Sequence, residues 1–122
     1  MEPNVGSYIQ NQLKQAQQIE LQIEQTANQR YQIDVKVKEL DRTLKELKDV
    51  PESTDIFKNS GVVIYKVQDR QKLISELEEQ KELSEIRLKT LERQQKALED
   101  KYKELEDSLK RTYDEQRKGK SA

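Results

Sequence analysis

Side chains able to do covalent chemistry are scarce in this sequence. It has no histidine and no cysteine, which removes imidazole bases, thiol nucleophiles, zinc clusters and disulfides. Aspartate and glutamate number 24 against 23 lysine and arginine, but they recur at surface helical positions and do not converge on a loop. There is no glycine-rich phosphate loop and no plausible triad. Neither a catalytic residue, a metal ligand nor a cofactor is expected, so the chain is not read as an enzyme. What remains is non-covalent chemistry by apolar side chains, in a chain that is 39% charged and 32% apolar. One group is Ile56, Phe57, Val62, Val63, Ile64 and Tyr65 near the middle. The other is Val5, Tyr8, Ile9 and Leu13 near the start, with Leu109 and Tyr113 near the end. Such groups gain about 25 cal/mol for each Å² they hide from water.

The elements that position these groups follow from composition. Leu, Ile, Val and Phe make up 29 of 122 residues, close to the level at which a highly charged chain stays disordered. That is too little for a compact core and enough for a long seam. Pro51 and Gly61 are the informative breaks. They predict a single subunit with helix 1 over 4–50, a β-hairpin over 55–67, helix 2 over 69–117 and a frayed tail over 118–122.

Both arms carry apolar residues at alternating spacings of three and four, the pattern of a coiled-coil seam. In the first arm the ladder is Ile9, Ala16, Ile19, Ile23, Ile33, Val37, Leu40, Leu44 and Leu47, with Gln12, Thr26 and Arg30 filling gaps. In the second it is Ile74, Leu77, Leu88, Leu91, Leu98, Tyr102, Leu105 and Leu109, with Lys81, Ser84, Gln95 and Thr112 between. In each ladder the first and last members, Ile9 and Leu47 or Ile74 and Thr112, lie 38 positions apart. Folded back antiparallel, the ladders pair residues whose numbers total 121, such as Leu47 with Ile74 and Thr26 with Gln95. The paired length would be about 57 Å.

Local signals mark the ends. Ser7 and Gln10 have capping-box spacing, Pro51 ends the first helix, and Asp69 is a candidate N-cap for the second. Glu85, Glu92, Glu99 and Glu106 each precede a lysine by four residues, a favourable helical pairing. Between the arms, 55–58 and 62–67 are rich in β-branched and aromatic residues, with Asn59-Ser60-Gly61 as the expected turn. Both hairpin faces are apolar and the helices can cover at most one. A lone two-stranded hairpin is marginal in water, so the hairpin should be completed by other subunits.

A net charge of −1 gives no field to draw nucleic acid, and Arg117, Lys118 and Lys120 in the tail supply no base-stacking platform. The longest apolar run, Val62 to Tyr65, is far short of a membrane span. With no secretory signal at Met1-Glu2-Pro3-Asn4, the expectation is a cytoplasmic protein without nucleic-acid or membrane partners.

Asp55-Ile56-Phe57-Lys58 followed by Gly61-Val62-Val63-Ile64-Tyr65-Lys66 resembles the hairpin of β-class prefoldin subunits, most closely the archaeal form. Glu85-Ile86-Arg87-Leu88 through Leu91-Glu92-Arg93-Gln94-Gln95 is similar to that family's second helix. The resemblance covers nearly the whole chain. It departs at Ser60, where an apolar residue is more usual, and at Phe57, where tyrosine is common. About twenty residues separate the helices, room for one hairpin and not for the two of the α class.

The resemblance implies a mainly α fold, a long antiparallel two-helix coiled coil with one β-hairpin between the helices, the hairpin contributing to an intersubunit β-barrel. It implies a hexamer of two α-class and four β-class subunits. It also implies an ATP-independent chaperone that holds unfolded polypeptides at the coiled-coil tips and delivers them to a group II chaperonin. The tip residues would then be Val5, Tyr8, Ile9, Leu13, Leu109 and Tyr113. The alternative is a structural coiled-coil adaptor or spacer without client holding. It accounts equally for the ladders but gives no reason for a hairpin apolar on both faces.

Overall fold

The computed structural model describes residues 3–121, and side chains from 5 to 119. Helix α1 runs Pro3–Asp49, strand β1 Phe57–Ser60, strand β2 Val63–Lys66 and helix α2 Arg70–Ser121. The fold class is the expected one: two long helices joined through a small antiparallel hairpin. By internal contacts the chain divides into two compact units, Met1–Arg30 with Thr90–Ala122, and Tyr31–Lys89.

The first unit pairs the N-terminal part of α1 with the C-terminal part of α2. Its polar ties run antiparallel. The hydroxyls of Tyr8 and Ser108 lie 3.3 Å apart, the Tyr102 hydroxyl donates to Glu20 at 2.8 Å, and Arg30 donates to Gln95 at 2.9 Å. Between the helices runs a seam of strict heptad repeat. With Ile9 at position a and Gln12 at d, the less exposed residues of α1 in this unit are Val5, Ile9, Gln12, Ala16, Ile19, Ile23, Thr26 and Arg30 at a or d, with Ala27 at the flanking position e. On α2 they are Leu91, Gln95, Leu98, Tyr102, Leu105, Leu109, Thr112 and Gln116, with Ser108 flanking the stripe. A repeat of 3.5 residues keeps such a stripe facing its partner only if the helices supercoil left-handedly. Leu91, 1% exposed, is the most deeply buried large side chain.

The second unit holds the hairpin and the remaining seam. Leu44, Leu47 and Ile74 form its buried core, with Ile56, Leu73 and Leu77 packed against them. Lys81 reaches Asp41 at 2.7 Å and Lys48 reaches Glu78 at 3.5 Å, again in antiparallel order. Asp69 caps α2 as expected, its carboxylate accepting from the Lys72 amide at 3.0 Å. The end of α1 is closed by a residue the sequence did not flag. The Arg70 guanidinium donates to the carbonyls of Leu47, Val50 and Pro51. These groups have no helical partner, and a cation there also meets the negative end of the helix dipole.

Several local expectations are corrected. α1 begins at Pro3, so Ser7 lies inside the helix and forms no capping box. Proline suits the first helical position because its missing N–H would be unpaired there anyway. α2 continues through Ser121, past the end expected at 117, and the tail expected to fray is helical up to that residue. Gly119 lies inside the helix without ending it, and cations such as Arg117 and Lys118 are favourable near a helix C-terminal end. The hairpin turn is Gly61-Val62 and not 59–61: Ser60 pairs with Val63 and Asn59 with Ile64. Gly61 has φ +78°, alone among the described residues in having a positive φ, the requirement of a two-residue turn with glycine first. The four Glu-to-Lys pairs of α2 do not close among the described residues. Glu85 meets Lys81, Glu92 meets Arg30 and Glu99 meets Gln95. These glutamates sit at position e beside the seam, where seam cations and amides compete for them.

The same chemical deletion should cost differently along the seam of the first unit. Leu91→Ala should destabilise the chain by about 2–5 kcal/mol, and Leu109→Ala, half-buried nearer the termini, distinctly less. Urea denaturation followed by circular dichroism checks the order.

Candidate functional site: hairpin and terminal end of the coiled coil

All eight strand residues of the hairpin are exposed. Cross-strand partners share a face, so Lys58 with Tyr65 and Ser60 with Val63 lie on one side, and Phe57 with Lys66 and Asn59 with Ile64 on the other. The first face continues to Ile56, whose carbonyl accepts from the Val67 amide at 2.8 Å and whose side chain packs on the core. Exposed large apolar groups therefore occupy both faces: Val63 and Tyr65 on one, Phe57 and Ile64 on the other. Val62, expected in a strand, stands at the turn fully exposed. An ion pair from Lys66 to Asp55 at 3.2 Å ties the hairpin at its base. Among the described residues neither strand has a second neighbour, so both edges present free backbone donors and acceptors.

The terminal end of the first unit brings the other group together. Val5, Ile9 and Leu109 are half-buried, while Tyr8, Leu13 and Tyr113 are 43%, 49% and 66% exposed. Burial in the seam falls off in this direction, from Leu91 and Ile19 to the half-buried residues near the end. Polar ladder residues contribute to this. Thr112 turns its hydroxyl to the Ser108 carbonyl at 3.0 Å, and Gln12 leaves its buried Oε1 without a hydrogen bond. A buried acceptor left unpaired costs about 1–3 kcal/mol.

Electrostatics are concentrated beside the seam. In the second unit Asp41 accepts from Lys81 and Lys45, and the Lys81 hydrogen bond in particular holds its carboxyl below the ordinary 3.8. The same bond raises Lys81 above its ordinary 10.5. In the first unit the Glu20 carboxylate accepts the Tyr102 hydroxyl and raises that phenol. The polar layer expected between Thr26 and Gln95 takes another form. Thr26 donates to the Gln22 carbonyl in its own helix at 2.8 Å, and Gln95 is engaged by Arg30. Among the described residues no cluster of acids could hold a metal ion, and no helix is long and apolar enough to cross a membrane.

Sequence reasoning missed Leu21 in the first unit and Tyr31, Leu83 and Ile86 in the second, all exposed. The available signal was their place on the outer heptad positions b, c and f, where an apolar residue has no seam to enter.

Comparison with known proteins gives this arrangement a family. The prefoldin subunit family model matches residues 10–116. The chain belongs to the prefoldin family. It is 53% identical over 95 residues to the prefoldin subunit beta of Thermoplasma volcanium, covering 78% of this chain and 77% of that one. It is 52% identical over the same length to the Thermoplasma acidophilum counterpart. The crystal structure of the prefoldin beta subunit from Thermococcus strain KS-1 superposes with a TM-score of 0.76 at 30% identity, over 87% of this chain and 92% of that chain. The β-class resemblance read from the hairpin and second helix is thus upheld. Prefoldins are non-enzymatic chaperones whose subunits assemble as hetero-oligomers.

The Asp41–Lys81 pair makes a pH prediction. A depressed carboxyl pKa contributes stability above the ordinary aspartate value and loses it as pH falls through the lower folded value. A raised lysine pKa contributes below 10.5 and loses it as pH rises through the higher folded value. The pair should therefore hold throughout the intervening range. In Lys81→Met the Asp41 midpoint, followed by carboxyl-carbon NMR, should rise yet stay below the ordinary value because Lys45 remains.

Proposed function

We propose that the chain is the β-class subunit of a prefoldin hexamer, two α with four β, that holds unfolded polypeptides without ATP in the cytoplasm and passes them to a group II chaperonin. The observation that carries the reading is the apolar group at the terminal end of the first unit, with Tyr8, Leu13 and Tyr113 exposed beside a seam that is less completely buried there. An unfolded chain exposes apolar segments of many shapes. Shallow, adaptable contacts from Val5, Tyr8, Ile9, Leu13, Leu109 and Tyr113 cover such segments without selecting one sequence. A seam interrupted by Gln12 and Thr112 lowers the cost of letting the two helix ends part around a client.

The hairpin has the assembly role. Its apolar side chains on two faces and its two open edges are the features of a sheet continued by neighbours, so hairpins of several subunits would close into a barrel. Ile56, Phe57, Val62, Val63, Ile64 and Tyr65 carry that contact, Val62 from the turn and the others from the strands and their base. Changing Val63 and Ile64 together to Asp should leave the far-UV helix signal intact and abolish the hexamer by light scattering with size exclusion. A hexamer that survives the change rules out the barrel role.

Holding is tested by diluting a chemically denatured model protein into nucleotide-free buffer with a near-stoichiometric amount of the chain assembled with an α-class subunit. Scattering from aggregation should be suppressed. Removing residues 1–13 and 109–122 should spare assembly and release the aggregation. Equal suppression by the trimmed complex refutes the tip role. No suppression by an intact full-length complex favours a structural coiled coil.

A further inference from the structure

The coiled coil of the first unit differs between its two sides. On the side of the e positions, Glu20 takes the Tyr102 hydroxyl and Glu92 takes Arg30 at 3.5 Å, so polar ties cross between the helices. On the opposite side, at positions c and g, α1 presents Gln15, Gln18, Gln22, Gln25 and Gln29, an unbroken stripe of amides. The four charged residues between Gln10 and Arg30, namely Lys14, Glu20, Glu24 and Arg30, all lie off that stripe. In a chain that is 39% charged, this is the surface from which charge is missing.

The stripe borders a groove of about 420 Å³ lined by Gln22, Gln25, Thr26 and Gln29 of α1 and Gln94, Ala97 and Leu98 of α2. Its floor is the buried Thr26 and half-buried Leu98, and its walls are exposed glutamines. Thr26 has already spent its hydroxyl on the Gln22 carbonyl. The side-chain amides of Gln22, Gln25, Gln29 and Gln94 make no hydrogen bond within the protein among the described residues. A tie on this side between the helices, Tyr8 with Ser108, lies nearer the termini. The groove is thus an opening with an apolar and hydroxyl floor, rimmed by side chains that each offer a donor and an acceptor.

We infer that this groove is a second polypeptide-binding surface, which takes an extended, uncharged segment of an unfolded chain through its backbone amides. An extended backbone offers N–H and C=O groups whatever its sequence, and a glutamine amide can answer either one. An uncharged groove imposes no desolvation of fixed charge on an apolar segment. A helix of another subunit has its own backbone groups paired and cannot use the amides in this way, whereas an unfolded chain has them free. The groove lining carries no ionisable side chain, so it repels neither basic nor acidic flanks of such a segment. The inference rests on the holding role proposed above and adds a site and a ligand class to it.

The test uses the full chain assembled with an α-class subunit and a twelve-residue peptide of Gly, Val, Ser, Ala, Thr and Asn, capped at both ends and carrying a neutral coumarin. A second probe has the same side chains with alternate backbone nitrogens methylated. Binding is read by fluorescence anisotropy, with circular dichroism melts confirming that each variant is folded. Changing Gln22, Gln25 and Gln29 together to Ala should weaken binding of the first probe about tenfold, the loss expected for two or three amide hydrogen bonds. Changing the same three to Glu should weaken it further, and the methylated probe should bind poorly and equally to all. Unchanged affinity in the alanine variant overturns the inference. So does a drop in assembled mass in the glutamate variant with peptide affinity intact, which would make the groove a contact between subunits. If the wild-type complex suppresses aggregation but the alanine variant binds the peptide equally well, the groove alone fails. If the wild type neither suppresses aggregation nor binds the peptide, the holding role fails with it.

Discussion

A chain with so little apolar side chain can bury it efficiently only along a narrow seam, and the whole structure follows from keeping that seam closed. Ile9, Ala16, Ile19 and Ile23 in the first unit, and Leu44, Leu47, Ile74 and Leu77 in the second, hide their side chains because a second helix lies alongside. Neither arm would stay helical for its length on propensity alone, since isolated helices are marginal in water. Within each unit the heptad spacing lines the buried side chains along one face of each helix segment, and the polar ties show the segments to run antiparallel.

That return depends on a few polar groups near the break at Pro51. Arg70 binds carbonyls at and just past the end of α1, Asp69 caps a first-turn amide of α2, and Gly61 supplies the positive φ of the turn. The same segment satisfies the end of one helix and the start of the next. Ile56 anchors the base of the hairpin to the core, and the strands beyond it are left exposed. Exposure on two faces with open edges is costly for a monomer and useful for a subunit, and prefoldins are oligomers.

The seam is not uniform, and its variation is where function is proposed to reside. Within the first unit, Leu91 and Ile19 are closed off from water. Toward the termini, Gln12 and Thr112 replace apolar ladder members and the neighbouring tyrosines and Leu13 are exposed. Around the seam the e side carries the cross-helix ties, while the c and g side of the first unit carries unbonded amides. A holdase needs surfaces that are apolar or neutral and loosely specified, and both surfaces have that character.

Sequence by itself determined the helix–hairpin–helix order, the antiparallel seam and nearly all of its ladder residues, because heptad spacing and a proline break are local and periodic. Glu20 meets Tyr102, Arg30 meets Glu92 and Asp41 meets Lys81 within one residue of the register read from the ladders. It also singled out the apolar groups of the hairpin and the termini. Only the tertiary structure decided which turn Gly61 makes, since a strand pair can slip until cross-strand partners fix it. It alone decided that Arg70 closes α1, because that contact joins residues about twenty positions apart by a long side chain with no periodic signature. It alone showed that Glu92 reaches Arg30 of α1 while Glu85 and Glu99 turn back to the ladder residues Lys81 and Gln95 of their own helix and not forward to a lysine, because an e-position carboxylate can choose among several partners within reach.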